Sequence, residues 1–390
     1  MKRIRISLLL KIVIAILAGI GCSWFFHPSI ARVFVTFNSL FGNFLNFVIP
    51  LLILGLVAPG IAELGRGAGR MLGVTTLIAY ASTVLSGYFS YGVCSAVYPY
   101  ILEPSSFAAS QVLAAGSGLE PYFVIDMPPL FGVMSALILS FVLGLALSAV
   151  KGNVMRGMLC EFREVIMIVI RKAIIPLLPL YIFGIFLKMG VEGTVMTILG
   201  LFLKVIIVIF VLHVALLLIQ FCIAGAVSGR NPLKSLRQML PAYMTALGTQ
   251  SSAATIPVTL AQAKKIGVRA EVADFVIPLC GTIHLSGSTL KIVACALALS
   301  IMGGMPSDAG VYTEFIFILG IAMVAAPGVP GGAIMASIGL IGLILGFDED
   351  MQGMMIALYI AMDSFGTACN VTGDGAIAMI VDRIFKKSSV

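Results

Sequence analysis

Charge is what this chain has least of. Asp, Glu, Lys and Arg make up 11% of its 390 residues, while 60% are hydrophobic. A soluble domain carries roughly 25% charged residues to face water, so that class is excluded. No group of His, Cys, Asp and Glu has metal-ligand spacing, no nucleophile–histidine pair stands out, and there is no P-loop. Those gaps argue against a hydrolytic enzyme and against a pump that burns nucleotide on this chain. The seven cysteines (Cys22, Cys94, Cys160, Cys222, Cys280, Cys295, Cys369) are scattered through apolar stretches. They read as small core residues, not as a disulfide framework or a metal cluster.

What the chain has is apolar length, with a mean hydropathy of +1.12. A helix needs about 20 apolar residues to cross a hydrocarbon core of about 30 Å. Runs of that kind fall near 7–26, 34–60, 72–100, 129–150, 173–190, 195–225, 272–302 and 352–382. No cleavable signal peptide is expected, because the first run continues to about Phe26 and is long enough to span. Two further stretches, 238–262 and 313–346, are interrupted by small residues and proline. If both are re-entrant hairpins and the N-terminus is cytoplasmic, 20 of the 24 basic residues lie inside, in clusters at Lys2, Arg3, Arg5, Lys11; Arg66, Arg70; Lys151, Arg156, Arg163, Arg171, Lys172; Arg230, Lys234, Arg237; Lys264, Lys265, Arg269; and Arg383, Lys386, Lys387. The opposite loops hold Glu103, Glu120, Asp126, Asp308, Asp348, Glu349 and Asp350. This asymmetry explains the net charge of +7 without any nucleic acid partner. The expected fold is an all-α polytopic membrane protein with eight transmembrane helices, two re-entrant hairpins and both termini cytoplasmic. Short loops and minimal tails point to a bacterial plasma membrane. Met155–Lys172, basic and partly amphipathic, is expected to lie at the cytoplasmic interface.

The last apolar run carries the strongest functional signal. Asp363, Thr367, Asn370 and Asp374 are spaced four, three and four residues apart, which stacks them on one helix face. A charge near a bilayer centre costs roughly 2.5–3.5 kcal/mol on insertion scales. Two on one stripe call for a cation, a ligand or a wet cavity. The hairpin tips, Leu247–Pro257 and Ala326–Ala333, are rich in glycine and small polar residues. Non-helical backbone at membrane depth is tolerated when it is buried in protein or lines a cavity. Broken helices of this kind are where secondary transporters bind solute and ion.

At these residues the chain resembles the dicarboxylate/amino acid:cation symporter family, the glutamate-transporter-like fold. The matching parts are Ser251-Ser252 before Thr255-Ile256-Pro257, Pro278-Leu279 with Thr282-Ile283, Gly328-Val329-Pro330-Gly331, and Asn370-Val371-Thr372-Gly373-Asp374. They cover about residues 230–385, with a weaker match at Leu64-Gly65-Arg66. The resemblance implies a homotrimer whose residues 1–62 and 127–192 form a static scaffold. Residues 63–100 and 195–385 would form a transport part sliding like an elevator, with hairpins at about 232–266 and 313–346 as gates.

The resemblance also implies residue roles. Asp363 would bind the substrate amino group and Asn370 its α-carboxylate, with Thr367, Ser252, Ser288 and Gly328 completing the substrate site. Asp374 would hold a sodium ion with help from Asn370 and Cys280, and Thr282 would serve a second one. For Thr367 and Ser252 a plain helix back-bond remains an alternative. The departures are equally telling. His284-Leu285-Ser286-Gly287-Ser288 replaces the pattern that supplies oxygens for a third cation, and Ile78 and Ala79 stand near hydroxyl positions of that site. His284 could carry a proton instead, or be a buried neutral histidine bonded to backbone. Where acidic-substrate members carry an arginine, this chain has Gly366 and Gln250. That favours a neutral substrate. Lys291 either snorkels outward or offsets Asp363 or Asp374 when the sites are empty. Lys204 and His213 are expected to snorkel or bond locally. The second tip is shorter than the usual pattern, and the connection 101–129 is reduced.

Thr372-Gly373-Asp374-Gly375 resembles aspartyl-protease lettering. Asp363 and Asp374, however, stand about 16 Å apart along one helix and cannot form a contacting dyad. The reading is a secondary active transporter that couples Na+, or alternatively H+, to symport of a small neutral amino acid across the lipid bilayer. A dicarboxylate or acidic amino acid is the alternative substrate; a passive channel or an intramembrane enzyme ranks below.

Overall fold

The computed structural model describes residues 8–64, 70–102, 119–150, 152–193, 195–328 and 330–385. Lys2, Arg3, Arg5, Gly65, Arg66, Glu103, Lys151, Val329, Lys386 and Lys387 lie outside the described residues, as does most of the connection 101–129. The described residues form helices and no strand: α1 (Leu8–Ser23), α2 (Pro28–Leu64), α3 (Arg70–Ile101), α4 (Val133–Ala149), α5 (Val154–Val191, with a π turn at Ile170–Ile174), α6 (Val195–Ser228), α7 (Pro232–Thr249), α8 (Ser252–Ile266), α9 (Ala270–Ile283), α10 (Ser286–Gly303), α11 (Ala309–Val324), α12 (Gly332–Leu345), α13 (Glu349–Ala361) and α14 (Asp363–Ile384).

Five of these are long and apolar enough to cross a membrane: residues 28–62 of α2, α3, α5, residues 198–228 of α6, and α9 with α10 counted as one. The α13–α14 pair adds a sixth if its 60° bend is one broken span. The helices α1, α11, α12 and most of α4 are apolar but shorter. The basic segment Met155–Lys172 runs unbroken into the following span, and the π turn at Ile170–Ile174 carries the helix on to Pro176.

Local chemistry sets the hairpin ends. Asn231 caps α7 by accepting from the Lys234 amide, 3.0 Å. Ser251 caps α8 through the Ala254 amide, 3.3 Å, and Gly267 ends that helix at φ +99°. Asp308 caps α11 and Asp348 caps α13 through the amides of Val311 and Met351 respectively. The first tip is therefore only Gln250-Ser251; Ser252–Pro257 are already helical. Its base is tied down by Asp382 of α14, which accepts from Arg230 and Arg269 at 2.8 Å each.

In packing, α2 lies on α4 and α1 on α5, while α14 is surrounded by α6, α7, α8, α9 and α10. The second half of the α9–α10 span has no outward face: Ser286–Ser300 is buried throughout. α10 and α14 thus form the centre of the molecule, and both begin at a helix break. The chain leaves the helical path at His284-Leu285 before α10 and at Met362 before α14.

Candidate functional site

The two breaks place the amide ends of α10 and α14 near each other, and polar side chains collect there. Asn370 links them. Its Oδ1 accepts from the amides of Gly287 (2.8 Å) and Ser288 (3.2 Å), satisfying two of the free N–H groups at the start of α10. Its Nδ2 donates to Ser288 Oγ at 3.0 Å, and the Tyr359 hydroxyl donates to the same oxygen at 3.3 Å. Gly287 is required for this approach. A Cβ there would lie 2.6 Å from Cys369 Cβ and 2.8 Å from the Gly366 carbonyl oxygen.

Asp363, the first residue of α14, is 5% exposed. Its Oδ2 accepts from the Gly331 amide of the second tip at 2.8 Å, and its Oδ1 faces Lys291 Nζ at 3.3 Å. Gly331 sits at φ +73°, a conformation suited to glycine. The two tips also meet: Ser251 Oγ donates to the Gly328 carbonyl, 3.0 Å, while Gln250 Nε2 donates to Ser364 Oγ, 2.8 Å.

A second cluster surrounds Asp374. His284 Nδ1 lies 2.9 Å from Asp374 Oδ1, and His284 Nε2 lies 3.1 Å from Ser82 Oγ. Gln220 Nε2 donates to Ser82 Oγ (3.1 Å) and to Ser286 Oγ (3.0 Å). Counting protons orients this chain. Ser82 has one hydroxyl proton; if it goes to Nε2, Gln220 donates to Ser82, Ser82 to His284, and Nδ1–H to Asp374, with each proton used. That arrangement makes the imidazole neutral and leaves Asp374 with its negative charge uncompensated.

The structure brings Asp363, Thr367, Asn370 and Asp374 onto one buried face of α14, with Ser288 against Asn370. It separates others. Thr282 is exposed, back-bonds to the Leu279 carbonyl at 2.7 Å, and lines a cavity of about 310 Å³ with Leu56, Gly60 and Ala325–Gly328. The Cys280 carbonyl accepts the backbone amide of His284. Ser252 is buried in the first turn of α8, but the tip contact belongs to Ser251. Two readings need correction. Lys291 does not snorkel: it is 0% exposed, because α10 has no lipid face. His284 is buried, but its ring bonds to side chains, not to backbone, since Ser82 and Asp374 flank it from two helices. His213 reaches across to the Gly287 carbonyl at 3.0 Å, and Lys204 bonds to the Ile101 carbonyl at 2.9 Å.

Sequence reasoning missed Ser82, Ser86 and Ser90. Ser86 donates to the Ser286 carbonyl and Ser90 to the Leu290 carbonyl, both at 2.8 Å. Their four-residue spacing was the available signal, and it marks the face that α3 turns towards α10. For a hard cation such as sodium the donors wanted are oxygens. Among the described residues no group of three His, Cys, Asp or Glu could hold a metal. The hydroxyls of Thr83, Thr289 and Thr372, on the three helices meeting at the α10 break, are buried without a partner. The Asp374 carboxylate, buried beside the α10 break, supplies the charged oxygens that such an ion prefers.

Two helix breaks and two touching hairpin tips around buried acid, amide and hydroxyl groups define a membrane carrier for a small solute. The chain belongs to the sodium:dicarboxylate symporter family, which it matches over residues 8–384. It is similar to the serine/threonine transporter SstT of Acinetobacter baumannii (strain AYE), at 26% identity over 99% of this chain and 98% of that protein. Its similarity to SstT of Acinetobacter baylyi (strain ATCC 33305 / BD413 / ADP1) is 26% over 98% of both chains. A shorter match, 29% over 191 residues, covers 48% of this chain and 32% of excitatory amino acid transporter 2 of Homo sapiens. The protein is a transporter and not an enzyme.

Proposed function

We propose that this chain carries a small neutral amino acid of the serine/threonine class by sodium-coupled symport. One observation carries the reading: Asp363 and Asn370 lie on one buried face of α14, and the second hairpin tip closes directly on Asp363 through the Gly331 amide. A carboxylate suits an ammonium group and a carboxamide suits a carboxylate, so the face matches the head of an amino acid. Ser288 and Thr367 add hydroxyls for a polar side chain. No arginine stands at Gly366 or Gln250 to take a second carboxylate. The nearly full-length similarity to two serine/threonine transporters agrees with that choice.

Sodium is assigned to Asp374, where a bound cation would neutralise the buried carboxylate. Thr282 and the second-tip residues Ala325–Gly328 form a second candidate oxygen set. Proton coupling is the other reading, favoured by the His284–Asp374 contact alone. The wider proposal is a homotrimer in a bacterial plasma membrane with both termini cytoplasmic. Residues 1–62 and 127–192 are its fixed part, and residues 63–100 and 195–385 its moving part.

The test is uptake into proteoliposomes holding the purified chain. Radiolabelled L-serine should accumulate when a sodium gradient is imposed and stay at equilibrium without one. Accumulation driven by a pH gradient alone would replace sodium with the proton. Accumulation of aspartate or succinate in place of serine would overturn the substrate class, and gradient-independent equilibration would indicate a pore.

A further inference from the structure

Among the described residues Lys291 is the largest charged side chain that is fully enclosed, and its surroundings are specific. Its Nζ lies 3.3 Å from Asp363 Oδ1 and 3.4 Å from the centroid of the Tyr359 ring. That is a carboxylate and an aromatic face around one ammonium. Gly366 makes the room: a Cβ on that residue would lie 3.0 Å from Nζ and 3.3 Å from Cε. Meanwhile the other oxygen of Asp363 is held by the second tip, at Gly331. The tip is therefore closed over a carboxylate already neutralised by the protein itself.

We propose that Lys291 is a tethered surrogate for the substrate's ammonium group. The argument rests on the assignment of Asp363 as the amine-binding carboxylate. An ammonium of the substrate and the Lys291 ammonium compete for one oxygen of Asp363. When the substrate has left, Lys291 takes its place, and the second tip can close without leaving a bare carboxylate at membrane depth. The empty carrier can then return without a separate counter-ion. When substrate enters, the flexible four-carbon stem lets the lysine yield. The chemistry predicted for any ligand of this subsite is a primary ammonium small enough to fit between Asp363 and Tyr359.

Two measurements test this. In the first, ethylammonium chloride is added to purified wild-type and Lys291→Met protein and thermal stability is recorded. Ethylammonium should raise the melting temperature of the Lys291→Met protein and leave the wild type unmoved; the same response in both, or in neither, overturns the proposal. In the second, net uptake of L-serine into empty proteoliposomes is compared with exchange against internal L-serine. Lys291→Met should retain exchange and lose net uptake. Its apparent Kd for serine should fall about ten-fold if the lysine holds Asp363 in about nine-tenths of empty carriers. Equal loss of both modes would make Lys291 a substrate ligand, and an unchanged ratio would give it no part in the return step; either overturns the proposal. Should Lys291→Met not fold, Gly366→Ala crowds Nζ while keeping its charge, and should shift Kd and the ratio the same way by a smaller factor. A wild type that moves no serine in either mode would overturn the proposed substrate, and the ethylammonium measurement alone would then decide the role of Lys291.

Discussion

His284 Nδ1 and Asp374 Oδ1 stand 2.9 Å apart in the centre of the protein, with both side chains shut off from solvent. The directional chain Gln220–Ser82–His284–Asp374 uses every proton when the imidazole is neutral, and a neutral imidazole cannot cancel the carboxylate. In that arrangement the imidazole orients the Asp374 carboxylate, and the proposed sodium ion would supply the missing positive charge. Replacing Asp374 by Asn should abolish sodium-driven accumulation while leaving the protein folded. Replacing His284 by Gln should keep sodium dependence but weaken the apparent sodium affinity about ten- to a hundred-fold, the loss of a charge-assisted hydrogen bond of about 1.5–3 kcal/mol. If wild-type uptake instead follows the pH gradient and the His284→Gln protein loses that dependence, the histidine is itself the coupling group.

Asn370 does two separable things. Its Oδ1 caps the start of α10 and its Nδ2 orients Ser288. Asn370→Ala removes both and should lower stability by about 1–2 kcal/mol, the usual worth of a helix cap. Asn370→Asp keeps an acceptor at a helix N-terminus, where a negative charge is favourable. It should hold its melting temperature close to wild type and lose serine uptake, because a carboxylate repels the substrate carboxylate. Melting curves read beside uptake separate the structural role from the binding role.

Gly287 is a tighter constraint. A methyl group on it would meet Cys369 Cβ at 2.6 Å and a backbone oxygen at 2.8 Å, and backbone does not move aside as a side-chain tip would. Gly287→Ala should cost about 1–3 kcal/mol by overpacking. Pairing it with Cys369→Gly should recover only the part due to the Cys369 contact, leaving the clash with the Gly366 carbonyl.

Much of this site was legible in the sequence. The 4-3-4 spacing placed four polar residues on one face of α14, because a regular helix obeys its own period. The tips announced themselves through Ser251 and Gly331, residues that cap or reverse a chain. What stayed hidden depended on neighbours. Whether Lys291 points outward or inward is decided by α10 having no lipid face, a property of the helices around it. The break at Met362 has no glycine or proline at the bend and was not marked by composition. The continuity of α5 was hidden too, because the helix runs through its π turn and past Pro176 and Pro179 without ending. Ser82 was findable from the serine spacing along α3, but its partner His284 lies 202 positions away.

Gly60, near the C-terminal end of α2, offers a direct test of relative motion. A Cβ built on it would lie 3.5 Å from the Cβ of Ala325 at the second tip, within the roughly 3.5–4.5 Å that a disulfide spans between Cβ atoms. Under the proposed topology that end of α2 faces the cytoplasm, so the contact puts Ala325, which leads into the second tip, on the inner side of the proposed fixed part. In a background without the native cysteines, Gly60→Cys with Ala325→Cys should cross-link under mild oxidation. If residues 195–385 slide against 1–62 during transport, the cross-linked carrier should lose nearly all serine uptake and regain it on reduction. Serine and sodium together should slow cross-linking, because a cycling carrier spends less time in this arrangement. Full uptake by a completely cross-linked protein would mean that the tip and α2 never separate. The solute would then have to cross by opening of the hairpins alone, without any elevator displacement.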